Sequence, residues 1–181
     1  MPNEWNLSYE DWIIGDGQPH RLVGDVFKWF AVSFCTWDPL TRCDERSRSA
    51  VCIPDFKYRV VAEVTFVSEK ACVIDFGLRA TASSDQISFP CKIGDYVSGE
   101  VRLSLPLCTD ILPDEVFKTL AHRWKVNRIS ADLTPYIAGP DNPRFFTRDG
   151  SRIQHQEVPS TQSVKASDYI LQCTEVLRPD D

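Results

Sequence analysis

The sequence has no excess of positive charge. Its 20 Lys and Arg residues are outnumbered by 26 Asp and Glu residues, so the formal net charge is −6 and the pI is about 5.1. Proteins that bind nucleic acids usually carry a basic footprint, because phosphate neutralisation supplies most of their non-specific affinity. The charge therefore argues against a nucleic-acid partner and favours a cationic one.

Long hydrophobic runs are also missing. No stretch approaches the roughly 20 apolar residues that a membrane-spanning helix needs. The first twelve residues, MPNEWNLSYEDW, are acidic and do not have the basic and then apolar pattern of a signal peptide. We therefore expect no membrane association and a cytoplasmic location.

The motifs that mark common enzymes are not found. Glycine-rich phosphate loops, G-x-S-x-G and H-E-x-x-H are all absent, and the three histidines, His20, His122 and His155, lie in no recognisable motif. We predict no catalytic residue and no cofactor, and the sequence leans away from an enzyme. Paired carboxylates for glycoside chemistry stay open, because their separation is spatial.

Seven cysteines are present, but the number is odd and no two form a C-x-x-C pair. Without a secretion signal, a disulfide scaffold is not expected. Cys35, Cys43 and Cys52 are spaced across a polar segment with gaps wider than those of structural zinc sites. We predict no metal site, and the sequence leaves open whether these three thiols approach one another.

The clearest positive signal is the alternation of side chains between residues 57 and 105. One apolar face is formed by Tyr58, Val60, Ala62, Val64 and Phe66, and another by Val97, Val101, Leu103 and Leu105. A period of two with one dry and one wet face is typical of antiparallel strands. A polar break at residues 68–70 predicts a hairpin from Tyr58 to Phe76.

A short segment indicates a barrel. Residues 92–101, KIGDYVSGEV, resemble the turn that leads into a strand in many small OB-like and S1-like barrels, which implies a barrel-like fold. Val23–Phe27 and Ile93–Val97 share an apolar residue followed by Gly-Asp and a strand, which indicates a common turn at two strand entries.

The remaining patterns complete the predicted fold. Thr109–Trp124 reads as the one principal amphipathic helix, at about residues 110–124, with Asp110 as its cap. Further predictions are a strand over Leu22–Phe34, a bulged strand over Trp124–Leu133, a hairpin over Phe145–Ile153 and a last strand over Tyr169–Leu177. We expect one domain, residues 1–181, that is mainly β: a curled antiparallel sheet or an OB-like, partly open barrel, with long polar loops at 36–54 and 154–168.

The polar loop at residues 36–54 holds the first binding candidates, Trp37, Arg42, Arg46 and Arg48. The neighbouring Asp44 and Glu45 allow a self-neutralising, solvated charge run. The alternative is a recognition loop, since Trp and Arg are enriched among interface hot spots. Two further aromatic candidates, Trp29 and Tyr96, would stack on a base or a sugar.

These observations predict a non-catalytic protein-interaction module that binds a protein partner through an exposed loop or an acidic face. Acidic inhibitors of basic nucleases or toxins, such as bacterial immunity proteins, have this general physical profile. An OB-like binder of single-stranded nucleic acid or carbohydrate is the alternative. A small-ligand barrel or an unrecognised enzyme is the second alternative.

Overall fold

The structure is a computed structural model that describes residues 4–29, 31–106, 112–138 and 146–176. With 52% strand and 8% helix, it confirms the predicted mainly β class. The elements, in chain order, are β1 Trp5–Glu10, α1 Asp11–Gly15, β2 Val26–Trp29, β3 Val32–Cys35, β4 Thr41–Arg42, β5 Ser49–Ile53, β6 Lys57–Val67, β7 Ala71–Asp75, β8 Arg79–Ser83, a 3-10 turn at Ser84–Gln86, β9 Tyr96–Ser104, α2 Asp114–Lys118, β10 His122–Asp132, β11 Tyr136–Ala138, β12 Phe146–Arg148, β13 His155–Val158 and β14 Asp168–Glu175.

Five strands form a barrel in the order β9-β3-β8-β7-β6. Pairing of β6 with β9 closes the barrel. All of these pairs are antiparallel except β3 with β8, so the barrel is mixed. The predicted barrel-like fold is therefore confirmed, and the barrel is closed and contains one parallel pair. Closure removes the exposed edges that an open sheet would present.

The alternation in the central stretch has the predicted consequence. Tyr58, Val60, Ala62 and Val64 of β6 are buried, as are Val97, Val101 and Leu103 of β9. The β6–β7 hairpin is confirmed, with Val67 opposite Cys72. Its register shifts between Val64 and Phe66, and Phe66 packs in a separate small cluster with Phe117 of α2. The bulge therefore sends Phe66 away from the main core.

An extension of the same sheet grows from one end of β9. There β1 meets β9 in parallel at Ser8 and Ser104, and β14 and then β10 continue the sheet antiparallel. The far edge of β10 pairs with β2 near its start and with β13 near its end. The predicted bulge in this strand is confirmed by the register shift between Val126 and Arg128.

The extension packs on the barrel through aromatic side chains. The ring of Trp5 on β1 lies 5.2 Å from that of Tyr58 and 5.7 Å from that of Phe76. The Tyr58 hydroxyl accepts a 2.7 Å hydrogen bond from the backbone N–H of Asn6. One hydrophobic cluster includes side chains of both parts, so the barrel and the extension share a core.

The two predicted Gly-Asp turns have the same geometry. Gly24 and Gly94 both adopt the left-handed conformation, with φ of 96° and 88°. In each turn the following aspartate, Asp25 or Asp95, accepts a hydrogen bond from the backbone N–H three residues earlier. The shared sequence pattern therefore encodes a shared turn, because only glycine adopts this conformation without strain.

The predicted helix at residues 110–124 is wrong over most of its length. The helix α2 spans only Asp114–Lys118, and His122 and Trp124 belong to β10. His122 and Trp124 are buried while Arg123 is exposed, which is a strand alternation within the apparent helical stripe. Pairing of Trp124 with Phe27 of β2 outweighs local helix propensity. The predicted cap, Asp110, lies outside the described residues.

Both predicted loops contain strands. The segment 36–54 includes β4 and β5, and β5 pairs along its length with β6. The segment 154–168 includes β13 and the first residue of β14. Both strands are short, and neither shows the alternation of polar and apolar residues that marks a strand, so the surrounding segment resembles a loop.

Two strand predictions also need correction. The segment Leu22–Phe34 forms two strands, because β2 pairs with β10 whereas β3 pairs with β8 and β9. The hairpin predicted across Asp149-Gly150 does not form; β12 pairs instead with the preceding β11. The last strand is confirmed as β14. Phe145, the predicted break at 139–143 and the chain end at 178–181 lie outside the described residues.

The described helices are short, and none has the length and apolar character needed to cross a bilayer.

Candidate functional site

A cavity of about 370 Å³ lies where the barrel meets β10 and β12. Its wall includes two arginines, and we call it the arginine cleft; its principal lining side chains are Trp37, Lys57, Arg102, Asp132, Arg148 and His155. The volume falls within the range of roughly 300–1,000 Å³ that is typical of ligand pockets. It is the best candidate for a functional site among the described residues.

Five strands or strand ends bring these side chains together. Arg102 lies near the end of β9, Asp132 ends β10 and Arg148 ends β12. Lys57 and His155 are the first residues of β6 and β13. Residues at strand ends are held by the ladder on one side and open to solvent on the other, which suits a binding site on a rigid scaffold.

A network of ion pairs fixes the two arginines. Arg148 Nη1 lies 2.5 Å from Asp132 Oδ2, and Arg148 Nη2 lies 3.6 Å from Asp168 Oδ2. Arg102 Nη2 lies 3.3 Å from the same Asp168 oxygen. Asp168 therefore bridges both guanidinium groups, and its other oxygen accepts a 2.6 Å hydrogen bond from the hydroxyl of Ser8.

Arg148 has a second set of partners on the solvent side. Its Nε donates to the hydroxyl of Tyr136 at 3.4 Å, and its Nη2 donates to the hydroxyl of Ser167 at 3.4 Å. The Tyr136 hydroxyl in turn donates to Ser167 at 3.2 Å. These contacts hold the guanidinium plane from both sides, so Arg148 is oriented before any ligand arrives.

Asp132 is held in its charged form. Burial acts to raise the pKa of this carboxyl, but the hydrogen bonds from Thr134 and the charges of Arg148 and His155 outweigh burial and lower it. The backbone N–H of Thr134 donates to Asp132 Oδ1 at 2.9 Å. One oxygen thus accepts from the backbone while the other faces Arg148, and both are occupied.

The pKa of Asp168 is shifted in the opposite direction. Burial raises its pKa, and the hydrogen bond from Ser8 and the charges of Arg102 and Arg148 only partly offset this effect. Its side chain is 5% exposed, and the neighbouring carboxylate of Glu10 adds to the rise. The pKa values of the two carboxylates are therefore shifted in opposite directions: that of Asp132 is lowered and that of Asp168 is raised.

Trp37 forms the exposed rim of the cleft. It is 61% exposed, and the ammonium of Lys57 lies 4.1 Å from its ring centroid. This distance is that of a cation–π contact, which orients the indole without covering it. The exposure of this indole is unusual, because most tryptophan rings are largely buried.

The connection between β5 and β6 separates the cleft from a second cavity. That cavity, of about 440 Å³, is lined by Asn6, Cys52, Phe56, Arg128, Glu157 and Gln172 among others. Asp55 and His155 line both cavities. The ring of Phe56 meets that of His155 edge to face at 4.9 Å, so this contact forms part of the wall between them.

The same connection carries backbone strain. Asp55 and Phe56 adopt φ values of 63° and 57°, in the left-handed region that a bulky side chain rarely occupies. Such residues cost about 1–3 kcal/mol each, and they cluster at ligand-binding and catalytic sites. Their position between two cavities supports a functional role for this end of the barrel.

The site residues predicted from the sequence lie in different parts of the structure. Trp37 lies in the cleft, whereas Arg42, Arg46 and Tyr96 meet at another place, beside the Gly94 turn. Arg46 lies 5.2 Å from the Tyr96 ring and donates to the Gly94 carbonyl at 3.2 Å. Arg42 pairs with Asp95 at 3.5 Å. These side chains hold the turn against the barrel.

Two other predicted residues make contacts that stabilise the fold. Arg48 Nη1 lies 2.5 Å from Asp75 Oδ2, so it pins β5 to the end of β7. Trp29 is 6% exposed, its ring packs edge to face on Tyr9 and Phe27, and its indole N–H donates to the Pro106 carbonyl. Trp29 was predicted as a stacking platform, and the structure places its ring in the core with little exposed surface.

Sequence reasoning did not identify Arg102, Asp132, Arg148 or Asp168. Arg102 alternates with the apolar residues Val101 and Leu103, and this alternation is the one local signal for its position. The other three come from β10, β12 and β14, and no short motif joins them. Their ion pairs span up to 66 residues of sequence and depend on the order of strands in the sheet.

The cysteines have no metal arrangement in the described part of the chain. Cys35 ends β3, Cys43 follows β4 and Cys52 lies in β5. Among the described residues, no group of three or more His, Cys, Asp or Glu side chains is placed to hold a metal ion. Six described cysteines, Cys35, Cys43, Cys52, Cys72, Cys91 and Cys173, are free thiols.

Comparison of the chain with models of protein families, with curated proteins and with solved structures finds no match.

Proposed function

We propose that this protein is a non-catalytic protein-interaction module that binds its partner through the arginine cleft and the rim at Trp37. The observation that carries the proposal is the exposed indole of Trp37 beside a cavity walled by Arg102 and Arg148. Tryptophan and arginine are the residues most enriched among interface hot spots, and hot spots cluster around well-packed pockets.

The rigidity of the cleft supports this proposal. Arg148 is held by Asp132, Tyr136 and Ser167 before binding, and Trp37 is oriented by Lys57. A prearranged surface reduces the side-chain entropy lost on association, which is one of the main costs of forming a complex. Asp132 and Asp168 hold the two arginines in place, so the arginines are already oriented when a partner arrives.

The overall charge adds a second support. A net charge of −6 accelerates the approach of a basic partner and slows that of an acidic one. We therefore propose a partner that is basic overall. The association rate should fall as salt is added, because rim and distant charges act mainly on the encounter, whereas contacts inside the cleft act on the dissociation rate.

The test uses two exposed tryptophans as a matched pair. Trp37 lies at the cleft, and Trp12, which is 52% exposed, lines a separate cavity with Glu10 and Asp16. Immobilised wild-type protein, Trp37→Ala and Trp12→Ala are exposed to lysate of the source organism. We expect a protein that is retained by the wild type and by Trp12→Ala, and lost by Trp37→Ala. Equal retention by all three would contradict the proposal.

A small-ligand barrel is a second candidate, because the cleft has the volume of a small-molecule site. It predicts that metabolites, and no protein, are retained by the wild type and lost by Trp37→Ala. Mass spectrometry of both fractions separates the two candidates.

The nucleic-acid or carbohydrate alternative has weaker support. Trp29 is buried, and Arg46 lies over one face of the Tyr96 ring, which reduces the surface available for stacking. We also propose a cytoplasmic location, which suits free thiols at exposed positions such as Cys35 and Cys52, because oxidising compartments favour disulfides.

A further inference from the structure

We infer that the arginine cleft receives a carboxylate from an acidic side chain of the partner. This inference rests on the proposed function and names the group that enters the site. It follows from a count of the hydrogen-bond acceptors and donors that the cleft walls still offer.

The acceptors of the inner wall are occupied. Asp132 accepts from the backbone N–H of Thr134 and pairs with Arg148. Asp168 accepts from Ser8 with one oxygen and faces both Arg102 and Arg148 with the other. A cationic ligand would have to displace an arginine from these carboxylates, at the cost of leaving a buried charge without its partner.

The donors are open. Arg102 uses Nη2 for Asp168, its Nε is buried and out of reach of the cavity, and its Nη1 forms no hydrogen bond in the part of the chain that the structure describes. Lys57 contacts the ring of Trp37, and within the described residues it forms no salt bridge, so its ammonium protons remain available. A guanidinium carries five N–H donors and an ammonium three, and none of these groups accepts a hydrogen bond. The cleft therefore offers donors and lacks free acceptors, which fits an anion.

A planar carboxylate suits this arrangement. The Arg102 guanidinium is planar, and its Nη1 and Nη2 donors form a fixed fork that matches the two oxygens of a carboxylate. Arg148 is held in its plane by Asp132 and Tyr136, and Arg102 is held by Asp168. The Trp37 ring at the rim would cover the methylene groups that carry the carboxylate.

Asp55 is the one lining acid that opposes this assignment. It lies in the middle of the β5–β6 connection, is exposed, and lines the cleft. Because it is exposed, its charge is screened by solvent and salt. It should weaken the binding of a carboxylate slightly, and its removal should strengthen that binding.

The experiment titrates the full-length protein with N-acetylaspartate N′-methylamide and follows the N–H signals of the Arg102 guanidinium and the Trp37 indole by NMR. The asparagine analogue, which has the same shape and no charge, is the matched probe. We expect both signals to move with the aspartate probe, at a dissociation constant of about 1–10 mM, and not with the asparagine probe.

Three variants sharpen the result. Arg102→Lys keeps the charge but loses the fork, and we expect about tenfold weaker binding of the aspartate probe. Asp55→Asn should bind it up to about threefold more tightly. Arg59→Lys, at an exposed arginine paired with Glu100 on the barrel surface, should bind like the wild type. Chemical shifts elsewhere in each variant report whether the fold is retained.

Equal shifts with the aspartate and asparagine probes, or no shift with either, would overturn the inference. Inorganic phosphate that binds more than about tenfold more tightly than the aspartate probe would also overturn it, because the site would then be built for phosphate. A partner retained through Trp37 together with a silent aspartate titration would reject the carboxylate and leave the proposed protein-binding function standing.

Discussion

Two regions of the molecule hold arginines in opposite ways. Arg21 lies in the core of the extension and is 8% exposed, with its guanidinium carbon 4.1 Å from the ring centroid of Phe27. The rings of Tyr9 and Trp29 lie at 5.6 Å and 5.8 Å. In the arginine cleft, by contrast, Arg102 and Arg148 face carboxylates and line an open cavity.

The difference shows how one fold can hold an arginine that stabilises the core and other arginines that are available to bind a ligand. Around Arg21, the aromatic faces supply the negative potential, and no salt bridge to it forms in the described part of the chain. The charge is enclosed and has no room for a ligand. In the cleft, carboxylates hold both guanidinium groups, and the Nη1 group of Arg102 keeps no hydrogen-bond partner within the described residues.

The largest expected effect on stability comes from removing the Arg21 side chain from between its three aromatic rings. Arg21→Ala removes the side chain that fills the space between Tyr9, Phe27 and Trp29, and we expect unfolding free energy to fall by about 3 kcal/mol. Arg21→Met fills most of the space and removes the burial cost of the charge, so its effect should be within about 1 kcal/mol. Urea denaturation of both variants measures the comparison.

Equal losses in Arg21→Ala and Arg21→Met would contradict this account. They would show that the charge itself, through its contacts with the rings, stabilises the fold, and that volume is secondary. The m-values should match that of the wild type if both variants keep the native burial.

The next effect concerns the carboxylate that is held ionised. Asp132→Asn removes the charge that faces Arg148 but keeps an oxygen for Thr134, and we expect a loss of about 2 kcal/mol at neutral pH. Because the folded-state pKa of Asp132 lies below its ordinary value of 3.8, its stabilisation is present above that pH. It is lost as the pH falls through the folded-state pKa.

Denaturation of the wild type and Asp132→Asn from neutral to acidic pH tests that sign. The difference between the two proteins should shrink as the pH falls below 3.8. A difference that grows in acid would show that the pKa of Asp132 is raised and that burial dominates there.

A smaller and opposite effect is expected at Asp168. Its folded-state pKa lies above 3.8, so the ionised carboxyl costs stability at neutral pH and the fold gains stability as the pH falls through that raised value. Asp168→Asn removes this cost while its amide oxygen can still accept from Ser8, although Arg102 loses a partner. We expect a change below about 1 kcal/mol at neutral pH.

The check on Asp168 is the direction of its pH dependence. Relative to Asp168→Asn, the wild type should become more stable as the solution is acidified toward 3.8. The opposite trend, or a loss at neutral pH as large as that of Asp132→Asn, would show that the ion pairs with Arg102 and Arg148 outweigh burial.

The barrel was largely predictable from the sequence, and the cleft was not. The alternation of Tyr58–Val64 and Val97–Leu103 is local, and a period of two fixes which face is buried. The two Gly-Asp turns are equally local, since glycine is required at a left-handed position. These signals need no knowledge of distant segments.

The failures share a different cause. His122–Trp124 has a helical stripe and a strand alternation at once, and the choice was made by pairing with β2, about 95 residues earlier in the chain. The strands β5 and β13 are short sheet edges whose sequences show no alternation of polar and apolar residues. The cleft needs β9, β10, β12 and β14 together, so its ion pairs follow from sheet order, which no local pattern records.

The smallest expected effect on stability comes from the residue with the largest expected effect on binding. Trp37 is 61% exposed and contacts Lys57 from the rim, so Trp37→Ala should change the unfolding free energy by no more than about 0.5 kcal/mol. Its midpoint of urea denaturation should therefore match that of the Trp12→Ala control. A loss above about 1.5 kcal/mol would mean that the indole is part of the packed structure, and that failure of Trp37→Ala to retain a partner reports unfolding instead of a lost contact.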